Sequence, residues 1–133
     1  MASTFKLKII SPTGVFYEGE TERIVVRGTE GEFAILPNHI PFTTTLALGT
    51  FSIILGDGKR KYGTLLGGIA TINSDETIIL TDAAEWPEDI DIERAREARE
   101  RALQRLKDSK YDAARAEVAL QRAIIRISTK ERK

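Results

Sequence analysis

The sequence predicts a β domain followed by an antiparallel two-helix hairpin, a β + α chain with its two kinds of structure in series. Two observations carry this. Up to Trp86-Pro87 the chain is rich in Gly, Thr and β-branched residues, with no sustained helical period. Residues 88–133 contain no Gly and no Pro and are dominated by Ala, Arg, Glu and Leu. The expected domains are 1–86 and 87–133.

Each β element has its own local cause. Phe5-Lys6-Leu7-Lys8-Ile9-Ile10 alternates apolar and charged residues, the pattern of a half-buried strand. Ser11-Pro12-Thr13-Gly14 is turn chemistry, and strands are expected over 15–19 and 21–27. Glu30-Gly31-Glu32 reads as a turn before a strand at 33–36. Pro37 and Pro41 bracket an ordered loop, because proline offers no amide hydrogen to a sheet or helix. Strands are expected at 42–48 and 51–55, then a hairpin turn at Asp57-Gly58. Further strands fall at 62–66, 69–72 and 77–80, with Gly67-Gly68 a bulge or a close backbone approach. Strands recurring about every 8–12 residues indicate a sandwich or barrel.

In the tail, Asp91 is placed to cap a helix and Glu93 lies in its first turn, where the helix dipole favours an acid. Ala95, Ala98, Ala102 and Leu106 form an apolar stripe, with Ile92 and Leu103 beside it. Asp108-Ser109-Lys110 breaks the pattern and Asp112 caps a second helix. Ala113, Ala116, Leu120, Ala123 and Ile127 then recur at alternating spacings of 3 and 4, a heptad-like seam. Two helices joined by so short a turn pack antiparallel. The seam is mostly Ala, so it buries little surface at about 0.8 kcal/mol per CH₂ and holds weakly.

Composition excludes several functions. The chain of 133 residues is 41% hydrophobic and 30% charged, with a net charge of zero. Residues 1–87 hold 7 Lys/Arg against 10 Asp/Glu, and residues 88–133 hold 13 against 10. A neutral total argues against nucleic acid as a partner, since phosphate neutralisation needs a basic excess. There is no cysteine, hence no disulfide, no thiol nucleophile and no Cys-based metal site. No stretch approaches the ~18 apolar residues of a membrane span, and the N-terminal residues lack a signal-peptide pattern. The expectation is a soluble cytoplasmic chain that meets a membrane only through a partner.

Candidate chemistry is sparse. With the turn centred near Ser109, Arg94 lies level with residue 124, between Arg122 and Arg126, which share a helix face. Three guanidinium groups near the open end, beside Glu85 and Asp91, could grip phosphate or could form a salt-bridged solvent face. Gly56-Asp57-Gly58-Lys59 lacks the spacing and the following Ser/Thr of a phosphate loop and reads as a turn. His39, the only histidine, has no neighbouring Ser or carboxylate for a triad, and a proline-bracketed surface loop suits partner contact. Trp86 reads as core packing at the joint. No catalytic residue and no metal site is visible.

The run Gly28-Thr29-Glu30-Gly31-Glu32-Phe33-Ala34-Ile35-Leu36-Pro37-Asn38-His39-Ile40-Pro41 closely resembles the signature of the epsilon subunit of the bacterial F-type ATP synthase. Gly67-Gly68-Ile69-Ala70, the run from Ile79 to Glu85, and Ile90-Asp91-Ile92-Glu93-Arg94-Ala95 continue the resemblance over essentially the whole chain. Trp86-Pro87 departs from it, and a proline there restricts Trp86 to extended conformations.

The resemblance implies a ten-stranded β-sandwich followed by the hairpin. It implies a non-catalytic subunit on the central stalk, bound to the gamma subunit and the ring of c subunits, peripheral on the cytoplasmic face of the bacterial membrane. In that family the hairpin restrains ATP hydrolysis when it extends toward the alpha and beta subunits, and in some members the folded-down hairpin binds ATP. Glu85, Ile90, Asp91, Arg94, Arg122 and Arg126 are the implied nucleotide positions, with Mg²⁺ left open and no catalytic cofactor. Glu32 and His39 match positions that face the c ring. Arg115, Arg122 and Arg126 are implied contacts to acidic residues of the beta subunit. An arginine cannot hold a triphosphate and a beta-subunit carboxylate together, which supplies the differential affinity a switch requires. A free-standing ATP sensor, whose hairpin closes on nucleotide without a large assembly, is the alternative. It would lack a sizeable exposed apolar patch on the β domain.

Overall fold

In the computed structural model, which describes residues 3–132, the alternating N-terminal stretch forms β1 (Phe5–Ser11) with Phe5, Leu7 and Ile9 buried. It is followed by β2 (Gly14–Thr21), β3 (Arg23–Gly28), β4 (Gly31–Ile35), β5 (Phe42–Ile54), β6 (Arg60–Ile72), β7 (Glu76–Leu80) and β8 (Ala84–Glu85). The hydrogen-bonded order is β2-β1-β7-β6-β5-β3-β4, with β8 on β6. All pairs are antiparallel except β1 with β7.

This continuous sheet is folded over on itself. Phe16 of β2 and Phe51 of β5 meet edge to face with ring centroids 6.1 Å apart. Four strand spacings in a flat sheet would separate them by about 19 Å. The Lys61 ammonium of β6 likewise sits 6.0 Å from the Tyr17 ring of β2. The result is a sandwich whose core is Leu7, Ile9, Ile24, Val26, Ile35, Phe51, Ile53, Ile72 and Ile79, each essentially without exposure. Burial of each such side chain contributes about 1.5–3 kcal/mol.

The described residues form eight strands, where the resemblance implied ten. The expected strands 42–48 and 51–55 run together as β5, and 62–66 and 69–72 as β6. Gly67-Gly68 does not shift the β5–β6 register, which continues from Leu46↔Gly68 to Leu48↔Leu66. It is a close approach instead. Gly68 has φ +140, and a Cβ there would overlap the carbonyl oxygen of Leu80. From β7 to β8 the chain runs on along the same edge of β6, with the Leu66 amide donating to the Ala83 carbonyl at 2.9 Å and the Thr81 hydroxyl donating to the Gly67 carbonyl at 2.6 Å. Glu32 also differs from expectation: it lies within β4, not in the turn. Thr29-Glu30 fill a tight turn, and pairing resumes at Gly28↔Gly31 because Gly31 accepts φ +129.

The chain forms two compact units, dividing between Glu85 and Trp86. The second begins with a 3₁₀ turn, Pro87–Asp89, followed by α1 (Ile92–Lys107) and α2 (Ala113–Glu131). The Asp91 carboxylate accepts the Arg94 amide at 3.2 Å, and that of Asp112 accepts the amides of Ala114 and Arg115 at 2.9 and 3.4 Å. The break is held by Asp108, whose carboxylate accepts the Lys110 amide at 2.9 Å. Ala95 and Ala102 of α1 and Ala116, Ala123 and Ile127 of α2 are buried at the seam, whereas Ala113 is exposed.

Candidate functional site

The sequence-predicted positions of the second unit start where extended chain becomes helix. Ile90 follows the 3₁₀ turn, donates its amide to the Pro87 carbonyl at 3.2 Å and is buried. Asp91 is exposed, but one carboxylate oxygen is committed to starting α1. Arg94 stands on the exposed face of the first turn. On α2, Arg122 is exposed and Arg126 half-buried, one turn apart.

The buried alanines set the level of these residues. Ala95 and Ala102 are seven apart on α1, as are Ala116 and Ala123 on α2, and the midpoint between Ala102 and Ala116 is Ser109, within the 108–112 connection. Equal chain length from Ser109 puts Arg94 level with Ile124, between Arg122 and Arg126. Arg115 is not part of this group. It lies beside the connection, lining an open groove with Arg105, Lys110 and Tyr111. A rise of 1.5 Å per residue leaves it roughly 10 and 16 Å down the helix from Arg122 and Arg126.

The salt-bridged alternative fits Arg96 better than Arg94 or Arg122. Arg96 pairs with Glu93 at 3.1 Å and with Glu131 at 3.4 Å. Among the described residues, Arg94 and Arg122 make no ion pair. Their guanidinium groups are available to an anion, for which arginine supplies paired donors.

The β domain carries the other positions. Glu85 closes β8, half-buried, and its Oε1 and carbonyl oxygen accept from the buried Thr64 hydroxyl at 3.3 and 3.5 Å. Gly63 allows this approach, since a Cβ there would clash with the Glu85 carbonyl oxygen. Glu32 is exposed on the outermost strand of the sheet, opposite Arg27. His39 packs its ring 5.2 Å from that of Phe42, with Nδ1 3.2 Å from the Ile40 carbonyl. Around it Leu36, Ile40 and Phe42 are 48%, 79% and 38% exposed. Asn38 holds the loop with φ 60, and its backbone amide donates a hydrogen bond to the Ser74 carbonyl at 3.1 Å.

Sequence reasoning missed a second apolar surface. The registers Val15↔Ile10, Ile10↔Leu80 and Leu80↔Ile69 align four apolar residues across β2, β1, β7 and β6. Directly paired residues share a face. Val15, Leu80 and Ile69 are about half exposed. Each looks like an isolated outward residue in its own strand; only the pairing makes them a row. Thr64 was missed because nothing local marks its partner 21 residues away. Among the described residues no cluster of His, Asp or Glu could hold a metal ion, and no helix is long and apolar enough to cross a membrane.

Comparison with known proteins gives the same two-part division. A family model described as ATP synthase, Delta/Epsilon chain, beta-sandwich domain matches residues 4–87, and one described as the long alpha-helix domain of that chain matches residues 88–131. The ATP synthase epsilon chain, sodium ion specific, of Acetobacterium woodii is 68% identical over 112 residues, covering 84% of each chain. In a cryo-EM structure of the Euglena gracilis mitochondrial ATP synthase, OSCP/F1/c-ring, a chain superposes with TM-score 0.81 at 26% identity, over 91% of this chain and 78% of that one. A chain of the Tetrahymena thermophila mitochondrial ATP synthase central stalk and c-ring superposes with TM-score 0.63 over 96% and 97%, a likeness of fold alone at 12% identity. The chain therefore belongs to the epsilon-chain family of bacterial F-type ATP synthases.

Proposed function

We propose that the chain is the non-catalytic coupling and regulatory subunit of the rotor in an ion-translocating ATP synthase, held at the cytoplasmic face of the membrane through the complex. Its β domain binds the gamma subunit and the ring of c subunits, with Glu32 and His39 facing the ring. Its hairpin restrains ATP hydrolysis when it extends toward the alpha and beta subunits, where Arg115, Arg122 and Arg126 meet acidic side chains. ATP held by Glu85, Ile90, Asp91, Arg94, Arg122 and Arg126 favours the folded-down hairpin. The occurrence of a 26% identical chain in the Euglena gracilis OSCP/F1/c-ring assembly supports the ring partner.

The observation that carries the regulatory reading is the pair of exposed arginines, Arg94 and Arg122, free of ion pairs among the described residues at one end of a weakly bonded hairpin. Uncompensated like charges there favour an anionic ligand in one state and acidic partner residues in the other. The exposed row of Val15, Leu80 and Ile69, with the Leu36–Ile40–Phe42 loop, supports assembly over a free-standing sensor.

Two experiments test the two parts. Purified gamma subunit should be retained by the immobilised folded chain, and its failure to bind rejects the rotor assignment. Titration calorimetry with ATP should show binding that weakens at least tenfold in Arg94→Ala and Arg126→Ala. An absence of heat at millimolar ATP rejects the nucleotide role, and equal binding by the variants rejects these residues as the site.

A further inference from the structure

The seam between α1 and α2 is built largely of alanine, so something besides buried area must keep the open end of the hairpin closed. The last turn of α2 supplies it. Lys130 Nζ donates to the Pro87 carbonyl at 2.9 Å, across a sequence separation of 43 residues. The same carbonyl accepts the Ile90 amide, so it is already fixed by the 3₁₀ turn before α1. Thr129 beside Lys130 is fully buried, and Ile127 and Ile90 are 8% and 4% exposed. Arg96 adds a link from α1 to Glu131.

These links are not equal. Arg96 and Glu131 have side chains 47% and 57% exposed, so water and salt screen them and their pair contributes little. The Lys130 bond is part-buried, charge-assisted and short. It also sets a cation in the last helical turn, where the helix dipole favours one.

We propose that the final turn of α2, through Lys130, is a strap that closes the open end of the hairpin in the absence of any ligand. The strap is a device separate from Arg94, Arg122 and Arg126, and it sets how readily the helices part. Opening begins by releasing Lys130 from the Pro87 carbonyl, which removes the part-buried, charge-assisted link between the last turn of α2 and the 3₁₀ turn. The inference stands whether or not the chain binds nucleotide.

The chain has no cysteine, so paired spin labels can be introduced cleanly. Cysteines replacing the exposed Glu97 and Ser128 in the full chain report the separation of the helices by double electron–electron resonance, without nucleotide. The unaltered strap should give one narrow distance. Lys130→Met should add a longer distance, with the open-to-closed ratio raised about tenfold, the effect of losing a hydrogen bond to a charged group. Lys130→Arg should restore the single distance, and 0.5 M salt should change the parent little. Circular dichroism should show unchanged helix content in every variant. An identical narrow distribution in Lys130→Met overturns the proposal. So does a broad distribution in the parent, or a loss of helix content in Lys130→Met without separation of the labels.

Discussion

The buried hydroxyl of Thr64 stands 3.3 Å from Oε1 of Glu85 and 3.5 Å from its carbonyl oxygen, in the same register pair of β6 and β8. The last residue of the β domain is therefore fixed by a strand 21 residues earlier, although β8 itself is only two residues long. A strand so short has little pairing of its own, and this contact gives the Glu85 carboxylate a defined position.

Thr64→Val keeps the shape of the side chain and removes the donor. The expected cost is about 1 kcal/mol of stability, the net value of one such hydrogen bond. Thr64→Ser should recover most of it. Urea unfolding of the three proteins checks this, and a Val variant as stable as the parent contradicts it.

Gly68 is the stricter position in the β domain. A side chain there meets the Leu80 carbonyl and a φ of +140 together. Gly68→Ala should destabilise the domain by at least about 2 kcal/mol. Gly58 has φ +86 with open space around it, so Gly58→Ala should carry only the backbone strain, about 1 kcal/mol. Thermal unfolding of the two variants should rank them in that order.

The hairpin depends on its caps because its seam is thin. Asp112→Ala removes an acceptor for two amide groups and should cost the second helix about 1 kcal/mol. Asp112→Asn retains an acceptor oxygen and should cost less. Amide exchange along the first turn of α2 should rise in the Ala variant and remain near the parent rate in the Asn variant.

Much of this architecture was legible because local rules and the fold agree. Asp91 and Asp112 are at the helix starts that their side-chain chemistry indicates, and Asp108 is at the break. The alternation at Phe5–Ser11 became β1 with the expected face buried. What was not legible depends on pairing between distant segments. The merging of adjacent strands into β5 and β6, the close approach of Gly68 to the Leu80 carbonyl, the Thr64–Glu85 contact and the Val15–Ile10–Leu80–Ile69 row all arise from long-range register. Nor was the pairing of Arg96 with Glu93 and Glu131 legible, because rotamers of long exposed side chains leave no periodic trace.

The most direct test of the regulatory reading is ATP hydrolysis by an alpha–beta–gamma complex, measured over a range of ATP concentrations with and without this chain. Inhibition is expected at low ATP and relief as ATP rises, with relief needing at least tenfold more ATP when the chain carries Arg94→Ala. Hydrolysis that is indifferent to the chain at every ATP concentration, or relief at the same ATP concentration in parent and variant, would contradict it.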